Sequence, residues 1–259
     1  MTKLPIGLGI LSWKSDKSIR NTLRSLHRNG LLDICNSTTI FFQEVQDKDL
    51  VLARQYNLEA MTSKLNIGIG GAFLKLAKHI KDPYVILLEH DWELVESPQK
   101  TFDHLAKSLE LLRDGFSCVR LRHRYQYGHP HYSFDKYREN ELNYYDDWME
   151  LYHPHLIDTL HWIERPDLKW PDKILKIDDF FSSSSRYANW TNNPCLYERK
   201  FFNDSIENFI GDGIDLERNI SYWWARQNYK VAQGNGLFKH NDKDKYDIFS
   251  KIKRNLRLF

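Results

Sequence analysis

Residues 84–91 read Tyr-Val-Ile-Leu-Leu-Glu-His-Asp: the apolar run YVILL breaks off directly into Glu89-His90-Asp91. A strand with one wet face alternates apolar and polar residues. An unbroken run of this length, stopped by charge, instead reads as a strand buried on both faces. Such strands sit in the middle of parallel sheets covered by helices on both sides, so this stretch sets the expectation for its surroundings.

Upstream, Asn66 to Gly71 (NIGIGG) is a glycine-rich turn opening a helix whose inner face carries Ala72, Phe73, Leu76, Ala77 and Ile80. Before it, Pro5 to Trp13 reads as a buried first strand. Lys17 to Arg28 reads as a helix with Ile19, Leu23 and Leu26 at helical spacing, closed by Asn29-Gly30. Thr38 to Glu44 is a second strand ending in an acid, and Asp47 to Gln55 a short helix. Downstream, Ser97-Pro98 starts a helix bearing Phe102, Leu105, Leu109 and Leu112, and Cys118 to Leu121 is another strand. The first 125 or so residues thus alternate strand and helix. That predicts an α/β fold with an open, mostly parallel sheet flanked by helices.

From Arg122 to about Arg186 the pattern lapses into an irregular segment rich in Tyr, His, Asp and Trp, and Ser182 to Ser185 is expected to be a loop. Order returns with Asn192 to Phe202, a helix over Asp215 to Asn228 and a late strand over Tyr229 to Ala232. No internal repeat or linker composition appears. The chain reads as a single domain over 1–259: a first part to about residue 125, a second over 126–242, and a basic tail over 243–259.

The composition, 41% hydrophobic over 259 residues, supports a sizeable core. A net charge of +2 leaves no footprint for nucleic acid, which is not expected as a partner. The cysteines, Cys35, Cys118 and Cys195, are odd in number and widely spaced, which fits a reducing compartment and a cytoplasmic location. The N-terminus has a short apolar run without a small-residue cleavage site and reads as strand rather than signal peptide. The tail KIKRNLRLF at 251–259 interleaves basic and apolar residues and could touch an anionic membrane surface; the same pattern reads more readily as a docked or frayed terminal helix.

Four constellations could carry chemistry. In open parallel sheets ligands bind beyond the carboxyl ends of the strands, where Glu89-His90-Asp91 falls. Acids there can hold a divalent cation that neutralises a leaving diphosphate, and carboxylate with imidazole suits Mn²⁺ or Mg²⁺. A solvated strand-end turn is the plain alternative. His240, after the glycine turn at Gly236, could supply a second ligand from a separate segment. Gly211 to Glu217 (GDGIDLE) precedes a helix, and Glu217, Asp215 or, less favourably placed, Asp212 there could act as a general base or simply cap the helix. Finally, the backbone N–H groups at Gly68, Gly70 and Gly71 could meet a diphosphate, although the spacing matches neither a dinucleotide fingerprint nor a P-loop.

Taken in order, these pieces resemble a GT-A glycosyltransferase, similar to the inverting family 2 enzymes. The resemblance implies nucleotide contacts from the first strand and loop (Ser12, Trp13), from the acid after the second strand (Glu44, with Asp47 as alternative), from the glycine-rich turn (Asn66, Gly70) and from Glu89 and His90. It makes Glu89-His90-Asp91 the counterpart of the DxD metal motif, with Asp91 and the C-terminal His240 as metal ligands. The motif departs from that pattern at Glu89, which replaces the usual first Asp. It places the catalytic base at Glu217 or Asp215, where Asp-Leu-Glu stands instead of the usual Glu-Asp. A QxxRW element is absent, and Trp223-Trp224-Ala225-Arg226 is only a loose echo of it.

The implied reaction is a metal-dependent single displacement. A sugar moves from a nucleoside-diphosphate sugar, a UDP-sugar as first guess, to a hydroxyl of a glycan or polysaccharide acceptor. The aromatics Tyr125, Tyr127, Trp148, Trp162 and Trp190 are expected on the acceptor side. Two rival readings start from the same residues. A metal-dependent phosphoesterase would need a tight His/Asp cluster, which His123, His129, His131, His153, His155 and His161 do not offer by spacing. A carbohydrate-binding module would explain the aromatics but not the acids after a buried strand.

Overall fold

The computed structural model describes residues 2–126, 164–209 and 216–241. Their strands are β1 Leu4–Trp13, β2 Cys35–Gln43, β3 Glu59–Ser63, β4 Tyr84–Glu89, β5 Trp92–Leu94, β6 Cys118–Arg122, β7 Ile174–Ile177, β8 Phe180–Ser184, β9 Cys195–Glu198 and β10 Lys230–His240. The helices are α1 Asp16–Arg28, α2 Leu31–Ile34, α3 Asp47–Gln55, α4 Gly68–His79, α5 Pro98–Arg113, α6 Pro166–Lys169, α7 Arg199–Ile206 and α8 Leu216–Gln227, with a 3₁₀ turn over Glu207–Phe209.

The strands form one sheet in the order β3-β2-β1-β4-β9-β6-β10-β8-β7, with β5 paired to β10. The half built from β3, β2, β1 and β4 is wholly parallel. The other half is mixed: β9 runs against β4 and β6, β8 against β10 and β7, and β5 against β10, while β6 and β10 run together. The carboxyl ends of β1, β2, β3, β4, β6 and β10 therefore share one edge of the sheet.

Local sequence explains the elements. The apolar stripe of α1 (Ile19, Leu23, Leu26) is fully buried. Ser97 caps α5 by accepting a hydrogen bond from the Lys100 N–H, and Pro98 fills the first turn, where no N–H is needed. At α3, Asp49 reaches back to the Gln46 N–H at 2.8 Å. Gly7 on β1 lets the end of α4 pack against the sheet, since a Cβ there would lie 2.2 Å from the Ile80 side chain.

Two cores lie on the two faces. One joins β1, β2, β4 and β6 to α1, α2 and α5 through residues such as Ile10, Leu23, Leu88 and Leu109. The other joins the sheet to α4, α7 and α8 through Phe73, Phe202 and Trp224. Each fully buried side chain of this size contributes about 1.5–3 kcal/mol of transfer free energy.

Three expectations need correction. Ser182 to Ser185 is not a loop: it largely falls within β8, which is paired on both sides. Strand pairing on both flanks overrides the weak β-propensity of serine. The late strand does not stop at Ala232 but continues to His240 as β10. Trp190 belongs to the second core rather than to an acceptor surface. It is 3% exposed and lies 5.6 Å from the Tyr197 ring and 5.1 Å from that of Trp224.

Candidate functional site

The acidic turn after β4 is fixed by β10. Trp92 pairs with His240, Glu93 with Lys239 and Leu94 with Phe238 in an antiparallel ladder, and the Asn241 N–H donates to the Asp91 carbonyl at 2.7 Å. This register sets Asp91 Oδ2 3.3 Å from His240 Nε2. The His240 ring also packs on Trp92 at 4.8 Å, and the Arg122 guanidinium lies 5.4 Å from the centre of that indole.

The ladder depends on a bend in β10. Its first part pairs with β6 and β8, and the register slips between Gln233 and Phe238 before the strand reaches β5. Gly236 sits in that slip with φ of +79°. A Cβ there would stand 2.1 Å from the Arg122 carbonyl oxygen, so no other residue fits.

The donor set fits Mn²⁺ or Mg²⁺: a carboxylate oxygen and an imidazole nitrogen converge from two segments. Cis ligands of an octahedral ion with bonds near 2.1 Å stand about 3 Å apart, close to the spacing here. Among the described residues no group of three or more His, Cys, Asp or Glu side chains could hold a metal. Two protein ligands would leave the other positions of such an ion to water or to a phosphate-bearing ligand. The same finding leaves a two-metal phosphoesterase without a ligand cluster among these residues.

At the carboxyl ends of β1 and β2 a second group assembles. The Trp13 indole N–H donates to Glu44 Oε2 at 2.7 Å, and Lys14 Nζ lies 2.6 Å from the same oxygen and 5.3 Å from the Trp13 ring centre. The Lys14 ammonium, then the Trp13 N–H, hold the Glu44 carboxyl below its ordinary range. Lys14 and Glu44 both adopt positive φ (46° and 50°), an uncommon backbone state for such residues that tends to gather at functional sites. Trp13 remains 42% exposed at the strand ends. Ser12, by contrast, is buried, its hydroxyl 3.0 Å from that of Ser15.

The glycine-rich turn is tied to the same edge. Gln43, the last residue of β2, accepts from the Ile67 N–H at 2.7 Å, and Asn66 Oδ1 accepts from the Gly68 N–H at 2.9 Å. Gly70 is buried in the first turn of α4. Glu89 ends β4 beside Leu11, and the His90 carbonyl accepts from the Thr22 hydroxyl at 2.6 Å.

Glu217 opens α8. Its Oε1 accepts from the Asn192 N–H at 2.6 Å and from the Thr191 hydroxyl at 3.2 Å. The turn it holds leads into β9 at the carboxyl ends of β4 and β6, where the Pro194 carbonyl accepts from the Leu121 N–H at 2.9 Å. Glu217 thus lies on the same edge of the sheet as Asp91, with one carboxylate oxygen occupied by the turn. Asp215, Asp212, Tyr127, Trp148, Trp162, the five histidines from His129 to His161 and the basic tail lie outside the described residues. Tyr125 is 62% exposed at the start of the insertion.

Three residues at the site escaped the sequence reading. Lys14 was hidden in a loop, although its place one residue after Trp13 could have marked it. Trp92 and Arg122 carry no signal until β10 is known to pair with β5. His123 is also part of this end of β6: its Nε2 lies 2.9 Å from Glu96, and its Nδ1 accepts from the N–H groups of Tyr125 and Gln126.

Comparison with known proteins bears out the architecture. The chain superposes on residues 1–349 of S. aureus TarS with a TM-score of 0.58 at 11% identity, covering 99% of this chain and 65% of that one. For the mannosyltransferase PcManGT from Pyrobaculum calidifontis, solved with GDP-Man and Mn²⁺, the TM-score is 0.57 at 10% identity, with 100% of this chain and 63% of that one covered. For glucosyl-3-phosphoglycerate synthase from Mycobacterium tuberculosis, solved with Mn²⁺, UDP and phosphoglyceric acid, it is 0.53 at 11% identity, covering 97% and 74%. The fold is that of the GT-A glycosyltransferases. This chain spans less than two thirds of the length of the first of these structures and 39% of a longer TarS chain. No protein-family model matches it, and neither does any curated protein sequence.

Proposed function

We propose that this protein transfers a sugar from a nucleoside-diphosphate sugar to a hydroxyl group of a glycan or other acceptor, with inversion and with the help of Mn²⁺ or Mg²⁺. The observation that carries the reading is the Asp91–His240 pair at the carboxyl edge of a GT-A sheet. The ligands of the fold's neighbours agree with it: TarS has been solved with UDP-GlcNAc, and PcManGT with GDP-Man and Mn²⁺.

Asp91 and His240 hold the cation. Bound there, it supplies positive charge to the departing diphosphate. Trp13, Lys14 and Glu44 receive the nucleoside, with Asn66 and the N-terminal turn of α4 on the phosphate side. Glu217 or Asp215 takes the proton of the acceptor hydroxyl as its oxygen attacks the anomeric carbon. The bond from that carbon to the diphosphate breaks, and the nucleoside diphosphate leaves with the bonding electrons. Tyr125, exposed where the insertion begins, contributes to the acceptor side. We place the protein in the cytoplasm on its cysteine spacing; the basic tail is a candidate contact to an anionic membrane surface. No helix among the described residues is long and apolar enough to cross one.

A thermal-shift panel of UDP, GDP, CDP and dTDP, each with and without Mn²⁺, tests the donor reading, because a ligand that binds only the folded state raises its melting temperature. One nucleotide should stabilise the protein in a Mn²⁺-dependent way, and Asp91→Asn should abolish the shift. A folded protein that responds to no nucleotide but does respond to sugars alone would be a carbohydrate-binding module instead.

A further inference from the structure

β5 is three residues long and has a strand partner on one side only, β10. Its other side faces α1, and there side chains replace a strand. Thr22 and Ser25 on α1 and Asn29 at its C-cap recur at intervals of three and four residues, so they line one side of the helix. The Thr22 hydroxyl donates to the His90 carbonyl at 2.6 Å, Ser25 Oγ accepts from the Leu94 N–H at 3.0 Å, and Asn29 Nδ2 donates to the Leu94 carbonyl at 2.7 Å. A helical Thr can bond back to a carbonyl of its own helix, as Ser25 does to Thr22 at 2.7 Å. Thr22 instead spends its hydroxyl on a residue far away in the chain.

Asp91 is held from both flanks as a result. Its own carbonyl accepts from Asn241 on the β10 side, and the preceding carbonyl, that of His90, accepts from α1. Thr22 is fully buried, so water does not substitute for its hydroxyl. We infer that the polar face of α1, and Thr22 above all, is a positioning device that sets Asp91 against His240 for the cation. This inference rests on the metal-binding reading given above. Partners behind metal ligands typically change affinity about 10- to 100-fold when lost.

The test is a titration of Mn²⁺ in the presence of inorganic pyrophosphate, with free Mn²⁺ read by electron paramagnetic resonance. The variants are Thr22→Val, Thr22→Ser, Ser25→Ala and Asp91→Asn, with Thr101→Val as control. Thr101 is an equally buried hydroxyl on α5 that makes no hydrogen bond. Thr22→Val should weaken Mn²⁺ binding about tenfold, Thr22→Ser should restore it to within about threefold, and Thr101→Val should leave it unchanged. If Thr22→Val does not fold, Ser25→Ala carries the test with an expected loss of about threefold or more. Binding that depends on Asp91 but is unmoved by Thr22→Val, or by Ser25→Ala in its stead, overturns the positioning role and leaves the metal site standing. Binding that is equal in wild type and Asp91→Asn overturns the metal site, and the inference with it.

Discussion

Asp91 Oδ2 and His240 Nε2 face each other across 3.3 Å because β5 and β10 are antiparallel partners with His240 opposite Trp92. Two residues far apart in the sequence are thus fixed by a backbone ladder rather than by flexible loops. A ligand pair built this way is preorganised, and binding need not order it first.

The pair predicts the effect of losing its nitrogen donor. His240→Ala removes one ligand but leaves the β5–β10 ladder intact. Mn²⁺ affinity in the presence of nucleotide should fall at least about tenfold, while the unfolding free energy should shift by less than about 2 kcal/mol. Calorimetric titration and urea unfolding measure the two quantities separately.

Trp13 is a partly exposed indole beside a carboxylate held ionised by Lys14 and the indole N–H. Stacking of a base on an aromatic side chain is worth about 1–3 kcal/mol. Trp13→Ala should therefore weaken nucleoside diphosphate binding about 5- to 150-fold and leave pyrophosphate binding unchanged. Equal losses for both ligands would put the base elsewhere.

Glu217 presents one oxygen to the Asn192 N–H and the Thr191 hydroxyl. Glu217→Gln keeps an acceptor in that position, so the fold should survive with little loss. If the carboxylate is the base, turnover should drop about 10²- to 10⁴-fold with donor binding retained. Steady-state kinetics on this variant and on Asp215→Asn assign the role: the variant that keeps its kcat is not the base.

His104 is buried, stacked on Phe180 at 4.9 Å, and its imidazole is pushed down from 6.5 to about 4, first by burial and then by the nearby His123. The unfolded chain therefore binds a proton that the folded protein refuses. This site imposes no penalty above about pH 6.5, and stability falls progressively as pH drops toward 4. The loss is on the order of 3 kcal/mol once both states are protonated. Urea unfolding at pH 7.5 and pH 4.5 should show this loss, and His104→Leu should reduce it.

Gly236 carries φ of +79° against the Arg122 carbonyl. Gly236→Ala combines a left-handed backbone with a clash against main chain and should destabilise the protein by more than about 2 kcal/mol. Thermal unfolding checks this, and a melting temperature equal to wild type would contradict the bend described for β10.

The parallel half of the sheet was legible because β1, β2 and β4 are buried on both faces and read as apolar runs, and because α1, α4 and α5 keep their stripes. Asp91 was legible because Glu89-His90-Asp91 follows the apolar run Tyr84 to Leu88 without a gap. The rest depends on pairing that leaves no periodic trace. β3 is mostly exposed, with only partial burial at Met61 and Ser63. β5 is three residues long, and β8 is written largely in serines. The reading of Gly236 as a turn was half right: it is a bend, and the strand continues through it to place His240. Thr22 looked like an ordinary helical residue because its partner, His90, is adjacent only in space.

The most direct measurement is anomalous diffraction at the manganese edge from crystals grown with Mn²⁺ and the nucleoside diphosphate that stabilises the protein. The expected result is one strong peak within coordinating distance of both Asp91 and His240, with the diphosphate bound to the same ion. A bound nucleotide with no manganese between these two side chains would contradict the assignment.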